Sequence, residues 1–250
     1  MAPDLHVAAL GGIPEVIAGA DLAVLIVDAV ARARRIVDDG DVFVVAQKIV
    51  SKAEGAVVRL DDVVASARAV EWAAAHGKDP RVVEVVLRES TRIVRMERGI
   101  LIGETRHGFV CANAGVDASN VARGLVTLLP RDPDASAERI RSALAAAFAR
   151  DVAVIISDTF GRPWREGVVN VALGVAGLRP LLDYRGCRDV FGRELSSTVL
   201  AIADELASAA ELVMRKTARL PVAIVRGAAE WIGEGRGAEL VRDASRDLFR

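Results

Sequence analysis

Apolar runs of strand length recur along this chain, and most of them stop at a cluster of polar or glycine residues. The clearest runs from Val152 to Ile156: it is β-branched enough for a buried strand, and it is followed by Ser157, Asp158 and Thr159. Gly161, Arg162 and Pro163 predict a turn directly afterwards, and Arg162, Arg165 and Glu166 bring charge that no core accepts unpaired. A carboxylate and a hydroxyl are thus expected side by side where a strand stops, which is the composition of a polar site on a rigid scaffold.

The remaining pattern predicts the other elements. Residues 5 to 10 read as a short strand running into Gly11-Gly12-Ile13-Pro14, a turn whose glycines expose backbone N–H groups. From Asp21 to about Arg35, Leu22, Leu25, Ile26, Ala29 and Val30 recur at helical spacing, with Asp21 as N-cap. Val42 to Ala46 predicts a second buried strand, followed by Gln47, Lys48, Ser51 and Lys52 and then a strand from Ala56 to Leu60. Helices are expected over 62–76 and 80–90, the second capped by Asp79 with Pro80 at its first position. Ile93 to Glu97 and Ile100 to Thr105 predict a hairpin. His107 to Cys111 predicts a strand that opens into a small-residue loop carrying Asp117 and Asn120.

A turn-rich connector over 128–134 leads to a helix over 136–150. Extended segments over 168–175 and 181–184, a long amphipathic helix over 198–216, a strand over 222–225 and a closing helix over 237–249 complete the chain. Strands and helices mix without strict alternation, so the predicted class is α+β, mixed sheets with helices. Residues 1–250 read as a single unit with two intimately associated subdomains, and no composition shift marks where they meet.

Composition removes several classes of partner. With 52% hydrophobic residues the chain is globular, and 33 basic against 34 acidic residues leave no bulk electrostatic case for nucleic acid or an anionic membrane. Apolar stretches such as Leu22 to Val27 are too short to span a bilayer, and MAPDLHVAAL lacks the basic region of a signal peptide, so a cytoplasmic protein is expected. Cys111 and Cys187 form no C-x-x-C unit and are expected as reduced thiols. No G-x-x-x-x-G-K-[ST], H-E-x-x-H, G-x-S-x-G or paired Cys/His zinc spacing occurs. The cluster Gly233-Glu234-Gly235-Arg236-Gly237 does not match G-x-G-x-x-G and reads as a loop before the last helix.

The chemistry concentrates on Asp117, Asp158 and Thr159. Two carboxylates brought to about 4 Å repel by roughly 4 kcal/mol at a surface-like dielectric, so something must neutralise them. A divalent cation suits the task, since magnesium and manganese prefer oxygen ligands and take one or two carboxylates beside water and phosphate. Thr159 offers a hydroxyl to a second ion or to a metal-bound water. Spacing alone reads Asp117 equally well as the cap of a helix beginning near Ala118, and Asp158 as a turn residue. Lys48 and Lys52 carry the charge a polyphosphate needs, and read alone they are ordinary solvated lysines. His107 is a general-base candidate that reads more simply as a hydrogen-bonded, partly buried histidine, and Cys111 reads as a small buried hydrophobe.

The blocks GDVFVVAQKIVSKAEG, ETRHGFVCANAGVDASN, LLPRDPDASA, VIISDTFGRPWREG, DYRGCRDVFGREL and ADELASAAELVM occur in that order. With them the chain, from about Leu10 to Gly227, resembles the coenzyme F-420:L-glutamate ligase family, the γ-glutamyl ligases of the deazaflavin coenzyme. The resemblance implies the family's α+β ligase fold and an intertwined homodimer. It implies a GTP-dependent amide ligase that uses Mg2+ or Mn2+, one ion or two, with room for a monovalent cation such as K+. Its substrates would be the deazaflavin precursor and L-glutamate, joined through an acyl phosphate with release of GDP and phosphate, and the tail would then grow through γ-linkages. Carried over by motif, Asp117 and Asp158 hold one metal and Thr159 a second. The implied nucleotide contacts are Gly11, Gly12, Ile13 and Pro14, the pair Gln47-Lys48, Lys52, Asn120 and the segment Met214-Arg215-Lys216. The choice of GTP rests on the resemblance, because no guanine-reading N-K-x-D is present.

One segment departs from the family pattern. Where some members have a glycine-rich stretch with a glutamate that meets the second metal, this chain has Arg215-Lys216-Thr217-Ala218-Arg219. A protonated Lys216 cannot ligate a cation. Either Thr159 and phosphate oxygens hold that ion, or the added positive charge replaces part of its work. Two other readings stand beside the ligase: the same scaffold acting on another acceptor or amino acid, and a nucleotide-binding protein without catalysis.

Overall fold

The computed structural model describes residues 4–248. In chain order its elements are β1 (His6–Leu10), α1 (Leu22–Arg32), β2 (Val42–Ala46), α2 (Gln47–Ala53), β3 (Val57–Arg59), α3 (Ala67–His76), α4 (Pro80–Glu89), β4 (Ser90–Glu97) and β5 (Ile100–Thr105). They continue with β6 (Val110–Ala112), β7 (Leu125–Thr127), α5 (Pro133–Phe148), β8 (Ala153–Arg162), β9 (Arg165–Ala176), β10 (Leu182–Asp183), β11 (Val199–Leu200), α6 (Ile202–Met214) and β12 (Val222–Arg226). Mixed sheets with helices make this the α+β class that the pattern predicts.

The site hangs on a sheet ordered β1-β12-β2-β8-β9. β2 and β8 are parallel, from Val42↔Ala153 to Ala46↔Ser157, and both are buried on two faces, which is why they read as continuous apolar runs. The strand period of two divides those runs between two cores. Phe43, Val45, Val154 and Ile156 pack with Ile26 of α1 and Leu144 of α5, whereas Val42, Val44, Ala153 and Ile155 pack with Leu206 and Ala210 of α6. A third cluster gathers Ala73, Val83, Val86, Leu101 and Val126 from α3, α4, β5 and β7.

Several boundaries differ from those the sequence predicts. β8 does not stop at Ile156 but runs through Asp158 and Thr159 to Arg162, and the turn is the two residues Pro163-Trp164. Beyond Ser157 the strand has lost β2 as a neighbour and keeps β9, behind a bulge at Ile156/Ser157, so its side chains no longer need to be apolar. Gln47 to Ala53, for which the pattern predicts no element, is the helix α2. The helix predicted over 62–76 begins at Ala67, where Ser66 caps the Ala69 N–H, and that predicted over 136–150 begins at Pro133, behind Asp132. β6 begins at Val110 instead of His107, and β7 lies where the pattern predicts no strand. Within 198–216, Val199–Leu200 pairs with β10 and only Ile202–Met214 is helical.

The closing helix is also replaced, by short 3-10 turns at Gly237–Leu240 and Ala244–Arg246; its predicted end, Phe249, lies outside the described residues. The backbone leaves the helical region at Val241 (ψ 120) and again at Asp243 (ψ 134), where the Asp243 carboxylate takes the Ser245 N–H, and the Asp134 carboxylate ties the Gly237 and Ala238 N–H groups to the first turn of α5.

That same turn of α5 presses on β9 where Gly174 has no side chain. A Cβ at Gly174 would stand 2.2 Å from the Pro133 carbonyl oxygen. Gly174→Ala is expected to cost about 1–3 kcal/mol through forced backbone movement, read as a lower urea midpoint at unchanged slope. An unaltered midpoint would show that the contact yields freely.

Candidate active site

A cavity of about 770 Å³ opens where β2 and β8 end their parallel pairing. That lies within the range of roughly 300–1,000 Å³ usual for small-molecule sites. Its wall is built from the loop after β1, the first two turns of α2, the loop after β6, the polar stretch of β8 with Asn170 of β9, and the end of α6 with the residues that follow it.

α2 sets Lys48 and Lys52 four residues apart, and so on one face. Lys48 Nζ donates to Asp117 Oδ2 at 2.7 Å, to the Ser119 carbonyl at 2.8 Å and to Ser119 Oγ at 2.7 Å, which uses all three ammonium hydrogens. Lys52 Nζ donates to the Asn120 carbonyl at 2.8 Å and pairs with Glu15. Neither is the freely solvated lysine that the sequence allows. Gln47 lines the cavity but turns its amide hydrogens to Ser51 Oγ at 2.6 Å and the Leu128 carbonyl at 2.9 Å.

Asp117 does not cap a helix. Its backbone bridges to Thr127, and its Oδ1 accepts from the Ser119 N–H at 2.6 Å in a tight turn. Burial pushes its carboxyl up, but hydrogen bonds from Lys48 and Ser119 outweigh this and hold it below its ordinary value. Asp158 behaves oppositely. No ion pair holds it among the described residues, and its carboxyl is pushed up to about 6, first by burial and also by the Asp117 charge, against an opposing Thr159 backbone hydrogen bond and the Lys48 and Lys216 charges. Of the two carboxylates, one already has its cation and the other faces the cavity without one.

The oxygens of Asp117, Asp158 and Thr159 suit a hard divalent cation, and the raised Asp158 carboxyl is the observation that fits one, because a nearby cation would offset its burial. No cluster of three or more His, Cys, Asp and Glu stands ready to hold a metal among the described residues. An ion here would take its other ligands from hydroxyl, water or substrate oxygens.

Most of the other expected residues converge on the same cavity. Ile13, Pro14, Asn120, Met214, Arg215 and Lys216 line it, with Asn120 at φ 54. Gly11 and Gly12 do not; the Gly12 carbonyl accepts from Arg32 Nη2 at 2.8 Å instead. The charges of Arg162, Arg165 and Glu166 belong to the far end of the β8–β9 hairpin and also stay out of the lining. Arg215 follows α6 at φ 53, ψ 131, a backbone region costly for any residue with a Cβ. His107 is absent from the lining: its Nε2 bonds the Arg131 carbonyl at 3.1 Å, and burial lowers its pKa. Cys111 is the buried hydrophobe expected, its thiol pushed up to about 12 by burial.

Among the lining residues that escape the sequence reading are Asn170 and Glu211. Thr159 Oγ1 donates to Asn170 Oδ1 at 2.9 Å, and Asn170 Nδ2 donates to Glu211 Oε2 at 3.2 Å. The one available signal was a lone amide in the otherwise apolar run Val168 to Val175.

Comparison with known proteins agrees in extent and in kind. Residues 12–227 match the sequence model of the family described as F420-0:Gamma-glutamyl ligase. The chain is 50% identical over 243 residues to the coenzyme F420:L-glutamate ligase of Methanothermobacter thermautotrophicus, covering 96% of each. It is 47% identical over 215 residues to that of Methanocaldococcus jannaschii, covering 86% of each, and 48% identical over 237 residues to that of Methanopyrus kandleri, covering 93% of this chain and 92% of that protein.

The Asp158 shift has a signed consequence for stability. A carboxyl raised from 3.8 to about 6 keeps its proton longer in the folded than in the unfolded chain, so its contribution to stability falls as pH rises from about 4 to 6 and stays lost above. Asp158→Asn is therefore expected to stabilise the metal-free protein at pH 8 by about 1–3 kcal/mol and to have little effect near pH 4. Thermal unfolding at the two pH values checks this, and a destabilised variant at pH 8 would mean that the carboxylate is already compensated.

Proposed function

Since the chain belongs to the F420-0:Gamma-glutamyl ligase family, we propose that this ligase joins L-glutamate to the deazaflavin precursor of coenzyme F420 at the expense of GTP, and then extends a γ-linked tail. The observation that carries the reading is the charge of one cavity: Asp158, without an ion partner, shares it with Lys48, Lys52, Arg215, Lys216 and Arg219. A polyphosphate accompanied by a divalent cation complements both signs at once.

An amide does not form from a carboxylate and an amine until the carboxylate is activated. A carboxylate oxygen of the precursor attacks the γ-phosphorus of GTP, the bond to the GDP oxygen breaks, and an acyl phosphate results. The glutamate amine, having lost its proton, then attacks the acyl carbon, and inorganic phosphate leaves. Positive side chains around the phosphates stabilise the charge that spreads over the transferring group. Lys216 and Arg215 do this from the end of α6, while Lys52 and Asn120 hold the nucleotide side of the wall together with Ile13 and Pro14. Mg2+ or Mn2+, held by Asp117 and Asp158 with Thr159 offering an oxygen to a second ion, would neutralise phosphate oxygens.

Incubating the protein with the precursor, L-glutamate, GTP and either Mg2+ or Mn2+, with and without K+, and weighing the products by mass spectrometry tests the reading. Successive glutamyl increments that need GTP and divalent metal are expected. Increments with ATP in place of GTP would overturn the nucleotide assignment, and an unchanged precursor with intact GTP would overturn the activity.

The reading includes a homodimer. Support comes from exposed apolar side chains, Val168 on β9 and Val190 and Phe191 between β10 and β11, which a second copy would cover. Sedimentation should give the mass of two 26.5 kDa chains, and Val190→Ser with Phe191→Ser should lower it to one. A wild-type monomer at all concentrations would remove the dimer. No helix among the described residues is long and apolar enough to cross a membrane, and we place the ligase in the cytoplasm with its nucleotide.

A further inference from the structure

Thr159, Asn170 and Glu211 form a chain of hydrogen bonds whose direction is fixed at one end. β8 and β9 set Thr159 directly opposite Asn170. From the other side α6 lays two residues, one turn apart, against the same asparagine. Ser208 Oγ donates to the Asn170 carbonyl at 2.8 Å, and Glu211 Oε2 accepts from Asn170 Nδ2 at 3.2 Å. Nδ2 also points at Ser157 Oγ, 3.5 Å away. Asn170 and Ser157 are buried, so the amide cannot trade these partners for bulk water.

The two ends of an amide have nearly the same shape, and only partner chemistry decides which way it faces. A carboxylate accepts and does not donate, so Glu211 demands the NH2 end of Asn170. The carbonyl end is left for Thr159, and a carbonyl also only accepts. The single hydroxyl proton of Thr159 is therefore drawn to Asn170 Oδ1, at 2.9 Å, and only lone pairs remain for the cavity. With the amide reversed, Thr159 would accept from it and aim its own proton into the cavity, which would repel a cation.

We propose that Glu211, acting through Asn170, holds the Thr159 hydroxyl as a pure acceptor toward the cavity and so makes it an oxygen ligand for a hard divalent cation. Glu211 is a positioning residue, two links removed from the atom it serves. The inference rests on the reading of Thr159 as a metal ligand given above. It assigns a role to a carboxylate one helical turn before the divergent segment Arg215 to Arg219.

The test is a Mn2+ titration followed by the electron paramagnetic resonance signal of free Mn2+, with GTP present and no acceptor. Wild type, Glu211→Gln, Glu211→Leu, Thr159→Val and the double variant Thr159→Val/Glu211→Leu are compared, each first checked for folding by thermal unfolding. Glu211 is half-buried at the end of a helix, so its variants are expected to fold. Outer-shell partners of ligands change metal affinity by about 10–100-fold. Glu211→Leu should weaken Mn2+ binding about tenfold, and Glu211→Gln, whose amide oxygen can still accept from Asn170, should weaken it less. In the Thr159→Val background Glu211→Leu should add no further loss.

Losses that simply add, equal losses for the Gln and Leu variants, or an unchanged affinity would each overturn the relay, since Glu211 would then act by its own charge or not at all. Failure of wild type itself to bind Mn2+ in the presence of GTP is a separate pattern: it would remove the metal reading of the cavity and the relay with it.

Discussion

The Lys48 ammonium and the Asp117 carboxylate, 2.7 Å apart, are the contact on which the cavity depends. α2 grows directly out of the central sheet, whereas Asp117 follows a stretch packed into the separate cluster around Val83, Leu101 and Val116. Nothing in the local propensity of either segment brings them together. A partly buried ammonium needs three acceptors and a partly buried carboxylate needs donors, so each removes the other's desolvation problem. Lys52, one turn further along α2, repeats the arrangement on the Asn120 carbonyl, and helical spacing thereby turns one ion pair into a wall.

Because Asp117 is satisfied in this way, Asp158 is the carboxylate left over. Two acids share a cavity, and their surroundings drive them apart: hydrogen bonds keep one ionised, while burial and its neighbour's charge make ionisation of the other costly. The proposed ligand, a polyphosphate accompanied by a divalent cation, would complement such a pair. The basic residues after α6 line the same cavity, so it offers both signs of charge to one ligand.

The polar stretch of β8 is tolerated because of where the strand is, not what it is. Up to Ile156 it is sandwiched between two cores; beyond Ser157 it has β9 on one edge only, and at the Ile156/Ser157 bulge the Ala172 N–H is taken by the Asp204 carboxylate at 2.8 Å. Asp204, Ser208 and Glu211 thus form a polar seam along α6 that follows β9 from Ala172 to Asn170. The polar face of this amphipathic helix is thus hydrogen-bonded to β9 beside the cavity.

What the sequence by itself determined is local or repeated. The apolar runs of β2 and β8, the caps at Asp21 and Asp79, the pairing of a carboxylate with a hydroxyl at Asp158-Thr159 and the ordered blocks that mark the family all follow from neighbours in the chain. Tertiary structure alone decided who meets whom. The partner of Asp117 lies 69 residues away and that of Asn170 lies 41 residues away. Asp134 takes the Gly237 N–H across 103 residues and ties the end of the chain to α5. Periodicity records which face of an element is buried, because burial acts on every turn or alternate residue; a single hydrogen bond between distant residues leaves no period behind, and so only the fold discloses it.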